Sequence, residues 1–326
     1  MKDLHLVDNI DEQHVEMAPI RKGFGTGLKI AGEKNKQVVA ACADLTESTQ
    51  MHLFKEAFPE RFVEIGVAEQ NLATVGAGLA AMGKIPFVSS YAAFSPGRNW
   101  EQIRTTACLN ERPVKIVGSH AGISVGPDGA THQMLEDIAL MRVLPNMVVL
   151  SPCDSIEAEK ATLALAEDTH NPGYLRLARE ATPIITTDKT PFKIGKAYVF
   201  AEGKDVTVIA TGTMTYQAMR AAEMLFKDGI DVEVVHVPTI KPLDAVTILQ
   251  SVKKTGAVVT CEEAQVAGGL GGAVAELLGE ELPTPMKRIG MRDQFGESGK
   301  PSELMEKFGL TAKHIAMHVH EVLDKK

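Results

Sequence analysis

The feature that most restricts how this chain can fold is an alternation. Short, mostly apolar runs that do not alternate with polar residues are followed by polar clusters and then by stretches of helical spacing. Such runs fall at residues 38–41, 62–67, 85–89, 114–118, 147–150 and 174–177, with helical patterns at 25–32 and from residues 68, about 99, 132 and 154. Strands that are apolar on both faces must be covered on both faces, so the chain is expected to be α/β, with a doubly wound parallel sheet. The pattern lapses at 183–194, where Thr and Pro recur, and then resumes. Strands are expected at 206–210, 232–237, 258–261 and 286–291, and helices at 215–228, 243–254, 271–278 and 302–308. The sequence thus divides into a leader (1–17), a first doubly wound domain (18–182), a linker (183–194) and a smaller doubly wound α/β domain (195–326).

Composition removes several classes of function. A chain of 326 residues, 44% hydrophobic and 23% charged, can bury two ordinary cores, and no apolar run approaches the roughly 18 residues that span a bilayer. No membrane partner is expected. The net charge of −8, with Lys and Arg scattered, disfavours nucleic acid, which selects a basic footprint. Cys42, Cys108, Cys153 and Cys261 show no CxxC spacing, and the N-terminus shows no basic and apolar export signal. Reduced thiols and a cytoplasmic location are therefore expected, without a disulfide frame or zinc site. The run Gly268 to Gly272 lacks the spacing of a phosphate loop and is read as close helix packing. His314, His318 and His320 have no carboxylate partner in view and are read as surface or packing residues, so no metal ligands are assigned.

Two stretches carry chemistry. In Val63-Glu64-Ile65-Gly66-Val67-Ala68-Glu69-Gln70-Asn71 a strand gives way to a helix that is apolar from Ala73 to Met82 apart from Thr74, so it reads as buried all round. Glu69 sits on its first turn, where the helix dipole favours a carboxylate. By itself this could be a helix-start residue and nothing more. The second stretch is the strand ending at Gly118, which empties into a loop holding His120, Asp128 and His132 among Gly122, Gly126 and Gly129. Glycines let the backbone approach a ligand, while His and Asp offer proton transfer and hydroxyl recognition at neutral pH. In a doubly wound sheet, ligands bind beyond the carboxyl ends of the strands, and the polar clusters fall there.

Gly66-Val67-Ala68-Glu69-Gln70 followed by Gly126-Pro127-Asp128-Gly129-Ala130-Thr131-His132-Gln133 resembles the pyrimidine-binding domain of transketolases and their thiamine-diphosphate relatives. Asp293-Gln294-Phe295-Gly296-Glu297-Ser298-Gly299 resembles the transketolase C-terminal domain, and the likeness runs through nearly the whole chain from about Ala18. The resemblance implies that Glu69 hydrogen-bonds a ring nitrogen of the cofactor's aminopyrimidine, that Tyr91 and Phe94 stack on that ring, and that Asp44 lies near it. It implies that His132 and Asp128 hold sugar hydroxyls and that His120 faces the acceptor or its phosphate. Arg21, Ser48 and Arg179 stand at the family's phosphate positions, so with His120 they are expected to form an anion site.

Two departures qualify the likeness. Around Ser95-Pro96-Gly97-Arg98-Asn99 the chain carries an extra residue, and Gly97 stands where transketolases show an aromatic. No Gly-Asp-Gly, the family's diphosphate and magnesium signature, occurs in the sequence. The expectation is therefore the C-terminal subunit of a split transketolase, moving a two-carbon ketol unit between sugar phosphates with an N-terminal partner that holds the diphosphate and Mg2+. A homodimer within a heterotetramer is expected, formed through the helix after Glu69. The alternatives are half of a 1-deoxyxylulose-5-phosphate synthase-like enzyme and a non-catalytic regulatory or assembly subunit.

Overall fold

The structure, a computed structural model, describes residues 4–11 and 13–326. Its strands are β1 (Met17–Pro19), β2 (Val38–Cys42), β3 (Phe62–Glu64), β4 (Ile85–Tyr91), β5 (Lys115–Ser119), β6 (Val148–Leu150) and β7 (Gly173–Arg176). After these come β8 (Ala181–Pro183), β9 (Tyr198–Ala201), β10 (Val206–Ala210), β11 (Val232–His236), β12 (Thr239–Lys241), β13 (Val258–Gln265) and β14 (Met286–Met291). Both halves are doubly wound, as the alternation implies. The first sheet runs β12-β6-β7-β5-β4-β2-β3, parallel throughout except for β12, and the second runs β14-β13-β10-β11-β9, parallel except for β9. A short antiparallel ribbon joins β1 to β8.

β2, an uninterrupted apolar run, is buried at every residue, and so is β5, where Lys115 and Ser119 flank Ile116, Val117 and Gly118. Helices Ile20–Lys34 and Ser155–Glu167 cover one face of the first sheet with Phe24, Leu28, Ala161 and Leu165, and helix Glu69–Ala81 covers the other with Leu72, Ala73 and Ala77. In the second sheet, helices Met214–Lys227 and Ala312–Leu323 take one face, and Ala245–Thr255 and Leu270–Glu281 take the other. Among the described residues no helix is long and apolar enough to cross a membrane.

Several local expectations need correction. The strand expected at 62–67 stops at Glu64, because Gly66 turns the chain at φ 77° towards the next helix. The helix expected from 132 starts at Asp137, since residues 129–133 form a hydrogen-bonded loop. Helix Glu69–Ala81 is not buried all round: Gln70, Asn71, Gly78 and Ala81 face out of the chain, followed by exposed Met82. Small residues make the buried face narrow and leave the other face open. His314, His318 and His320 lie on a helix that the strand-helix pattern did not include, Ala312–Leu323. There His314 Nδ1 contacts Thr311 Oγ1 at 2.8 Å and His318 Nδ1 contacts Glu321 at 3.1 Å. All four cysteines are buried and free of disulfides.

The chain leaves β2 in one direction to β3 and returns to place β4 on the other side of β2, so the sheet's switch point lies between β2 and β4. That is where doubly wound sheets hold ligands. Asp44 follows β2, Tyr91 ends β4, and Glu69 opens the helix after β3.

Candidate active site

Glu69 is the first residue of its helix, with a side chain only 2% exposed. A carboxylate so deeply buried needs charge-assisted partners. Arg98 Nη1 donates to Glu69 Oε2 at 2.7 Å, and the Arg98 guanidinium carbon lies 4.8 Å from the Phe94 ring centre. The turn that presents Arg98 is tied to the helix start: Asn99 Nδ2 donates to the Glu69 carbonyl at 2.8 Å and to Ser95 Oγ at 3.2 Å. Glycine at 97 is obligatory, because a Cβ there would stand 2.1 Å from the Ala93 carbonyl oxygen. The departure noted at Gly97 is thus a tight turn that points an arginine at Glu69.

Four rings form one cluster. Tyr91 stacks on His120 with centroids 3.8 Å apart, Phe94 lies 6.2 Å from Tyr91, and His132 sets its edge against Phe94 at 5.4 Å. The structure therefore brings together Tyr91 and Phe94 from one stretch of the sequence with His120 and His132 from another. His132 Nδ1 pairs with Thr131 Oγ1 at 2.8 Å.

His120, the first residue after β5, adopts φ 57°. Arg21 Nη1 lies 3.3 Å from its Nε2 and donates also to the Ser48 carbonyl at 2.8 Å. Arginine only donates, so Nε2 is the acceptor and the imidazole proton sits on Nδ1, which donates to Ser119 Oγ at 2.9 Å. Burial, then the Arg21 and Arg179 charges, push His120 down to about 3. Burial foremost, together with Arg179, also lowers the Arg21 guanidinium from its ordinary value.

The expected anion site is assembled in part. Arg21, Ser48 and His120 meet, but Ser48 offers its carbonyl and not its hydroxyl, because the first turn of helix Ile20–Lys34 points Arg21 at the loop backbone. Among the described residues Arg21 Nε is buried without a hydrogen-bond partner. Arg179 donates to the Val125 carbonyl at 2.8 Å and pairs with Glu180 at 3.3 Å. Asp44, exposed at φ 57°, donates its backbone N–H to Glu64, which also accepts from Gly66 N–H and the Thr46 hydroxyl. Asp128 is exposed at the end of a short helical turn, and no contact joins it to either histidine. Sequence reasoning did not single out Arg98, Asn99 or Glu64. For Arg98 the available signal was its position beside the Gly97 departure.

The Gly268 to Gly272 run holds no open anion site. Buried Glu262 accepts from Leu270 N–H at 2.7 Å and Gly271 N–H at 2.8 Å, so an internal carboxylate fills the helix N-terminus. Burial raises Glu262 to about 7 against those donors.

A doubly wound sheet with aromatic rings and a buried glutamate at its switch point, joined to a second such sheet, defines the class. The chain belongs to the transketolase family: residues 16–184 match the transketolase pyrimidine binding domain and residues 195–315 the transketolase C-terminal domain. It is 45% identical over 310 residues to a protein of Methanocaldococcus jannaschii named putative transketolase C-terminal section, covering 94% of this chain and 97% of that one. It is also 45% identical over 295 residues to a 6-deoxy-6-sulfo-D-fructose transketolase subunit of a Clostridium species, covering 90% and 91%. A solved structure described as a split gene transketolase, inactive beta4 tetramer, is 45% identical and superimposes with a TM-score of 0.88, covering 94% of this chain and 98% of that one.

Proposed function

We propose that this chain is the C-terminal subunit of a split, thiamine-diphosphate-dependent transketolase. In this reading it moves a two-carbon ketol unit between sugar phosphates in the cytoplasm, as a homodimer within a heterotetramer. The observation that carries the reading is Glu69, a buried carboxylate whose free face is met by a planar N–H donor lying over the Phe94 ring. An aminopyrimidine with a protonated ring nitrogen offers the same chemistry, a planar donor with a stacking face, so these residues fit that end of the cofactor. Thiamine diphosphate, when bound, supplies the carbon nucleophile that takes up the ketol unit.

The chain's own residues would then divide the work. Glu69 holds a proton-bearing ring nitrogen, Tyr91 and Phe94 pack against the ring, and Asp44 lies at the rim. His132 and Asp128 bind sugar hydroxyls. Arg21 presents its unpartnered Nε to the phosphate, with Arg179 and the Ser48 loop beside it and His120 backing Arg21 as a neutral acceptor. Ligands for the diphosphate and Mg2+ would come from the N-terminal partner, since the sequence contains no Gly-Asp-Gly and Glu262 closes its glycine run. The two relatives named as a section or subunit have about the length of this chain, which supports the split arrangement.

Calorimetric titration with thiamine diphosphate and Mg2+ tests this. The chain by itself should bind weakly and transfer nothing, and addition of the N-terminal partner should produce tight binding and ketol transfer to an aldose phosphate. Tight binding and transfer by the purified chain would overturn the split-subunit reading.

A further inference from the structure

We propose that Arg98 is an internal stand-in for the cofactor's pyrimidine, exchanged when the cofactor enters, and that it thereby sets the affinity of the site. This inference rests on the role given above to Glu69. The argument begins with the cost of an unpaired buried carboxylate. Glu69 is almost fully enclosed and would be strongly unfavourable without a charge-assisted donor, yet Arg98, its partner, is 51% exposed and free to leave towards solvent. The contact is therefore strong at one end and releasable at the other.

The geometry of the stand-in is specific. Arg98 makes both contacts expected of an aminopyrimidine, an N–H hydrogen bond to Glu69 at 2.7 Å and a planar face near Phe94 at 4.8 Å. A lysine could supply the charge but neither the fork nor the flat face. The backbone that carries it is fixed independently of the guanidinium. Arg98 N–H donates to the Phe94 carbonyl at 3.0 Å, Asn99 ties the turn to Glu69's own carbonyl, and Gly97 leaves no room for another residue. The guanidinium can thus leave while the turn stays. Ring and guanidinium cannot occupy the same oxygen and the same aromatic face together, so the cofactor competes with Arg98.

The test uses the full chain and thiamine, which carries the pyrimidine but no diphosphate, so that partner ligands do not enter. Trp100, the sole tryptophan, sits two residues beyond Arg98 and reports binding by fluorescence. Removing the competitor also leaves Glu69 needing a donor, so Arg98→Ala should bind thiamine about tenfold more tightly than wild type, the size expected of a partly exposed charge-assisted contact. Arg98→Gln should bind more tightly in the same way, and Arg98→Lys should gain less. Glu69→Gln should weaken thiamine in both the wild-type and the Arg98→Ala backgrounds. If neither Arg98→Ala nor Arg98→Gln gains affinity while Glu69→Gln still weakens it, the stand-in is wrong and the pyrimidine role of Glu69 stands. If Glu69→Gln changes nothing in either background, the role of Glu69 fails and takes this inference with it.

Discussion

His120 should make the protein acid-sensitive in a way that one substitution removes. The residue is 2% exposed, stacked on Tyr91 and held as a neutral acceptor by Arg21. An ordinary histidine takes up its proton near 6.5, and burial with the Arg21 and Arg179 charges delays this in the folded chain to about 3. The folded value lies below the unfolded one, so between them the unfolded chain holds the extra proton and gains from it. The contribution is therefore fully present above about 6.5 and is lost as pH falls towards about 3, at about 1.4 kcal/mol per unit. Lowering the pH from about 8 to about 5 should remove about 2 kcal/mol of stability through this residue. His120→Gln keeps an acceptor for Arg21 and cannot titrate, so its urea midpoint should fall less over that range, by the equivalent of about 2 kcal/mol. In wild type the His120 Cε1–H resonance should hold its neutral position down to about pH 4. Equal acid losses in wild type and His120→Gln, or a His120 resonance that titrates near 6.5, would show that burial and the two arginines do not hold the ring neutral.

Two further outcomes bear on the site and on the junction between the two sheets. In the assembled enzyme, Arg21→Ala and Arg179→Ala should raise KM for phosphorylated sugars by the equivalent of about 2 kcal/mol and leave unphosphorylated substrates nearly unchanged, and equal losses on both would remove phosphate from their role. Glu157→Ala should destabilise the chain by about 3–5 kcal/mol in urea, because it strips the partner from buried His236, 2.8 Å away across the junction, and the acceptor from Cys153 N–H; a change under about 1 kcal/mol would mean that the pair is not paired in solution.

The alternation of strands and helices was legible because it is a local property of burial. Residues 38–41, and 206–210 apart from Thr207, are apolar on both faces, and both became strands inside parallel sheets. Strand order was not legible, since nothing local tells β2 to sit between β3 and β4. Thr239–Lys241 escaped notice as three residues bounded by Pro238 and Pro242, and it gains its strand character only by pairing with β6. In the candidate site, the residue types at strand ends were legible and their partners were not. The sequence spaces Glu69 and Arg98 by 29 residues, and their pairing depends on a turn that only the Gly97 contact explains. Ser48 was read for its hydroxyl, yet local backbone direction gives Arg21 its carbonyl.

The second half of the chain holds the loop carrying the histidines through one side chain, Glu263, and through a backbone carbonyl, that of Glu297. Glu263, at the end region of β13, accepts from Ser124 N–H at 2.7 Å with one oxygen and from Thr213 Oγ1 at 2.7 Å with the other. Gly122 passes so close that a Cβ would stand 2.3 Å from that carboxylate, at φ 93°, so the loop can take this path only with glycine there. Gln133 Nε2 donates to the carbonyls of Ile123 and, at 2.9 Å, Glu297, binding the loop's far end to the segment 293–299. His120 and His132 are therefore spaced by anchors that belong to the other half of the chain. A loop of three glycines would by itself sample many paths, and these anchors favour the one that sets His132 against Phe94. The C-terminal half, which contributes no ring to the cluster, thus holds the first sheet's histidine-bearing loop by hydrogen bonds across the junction.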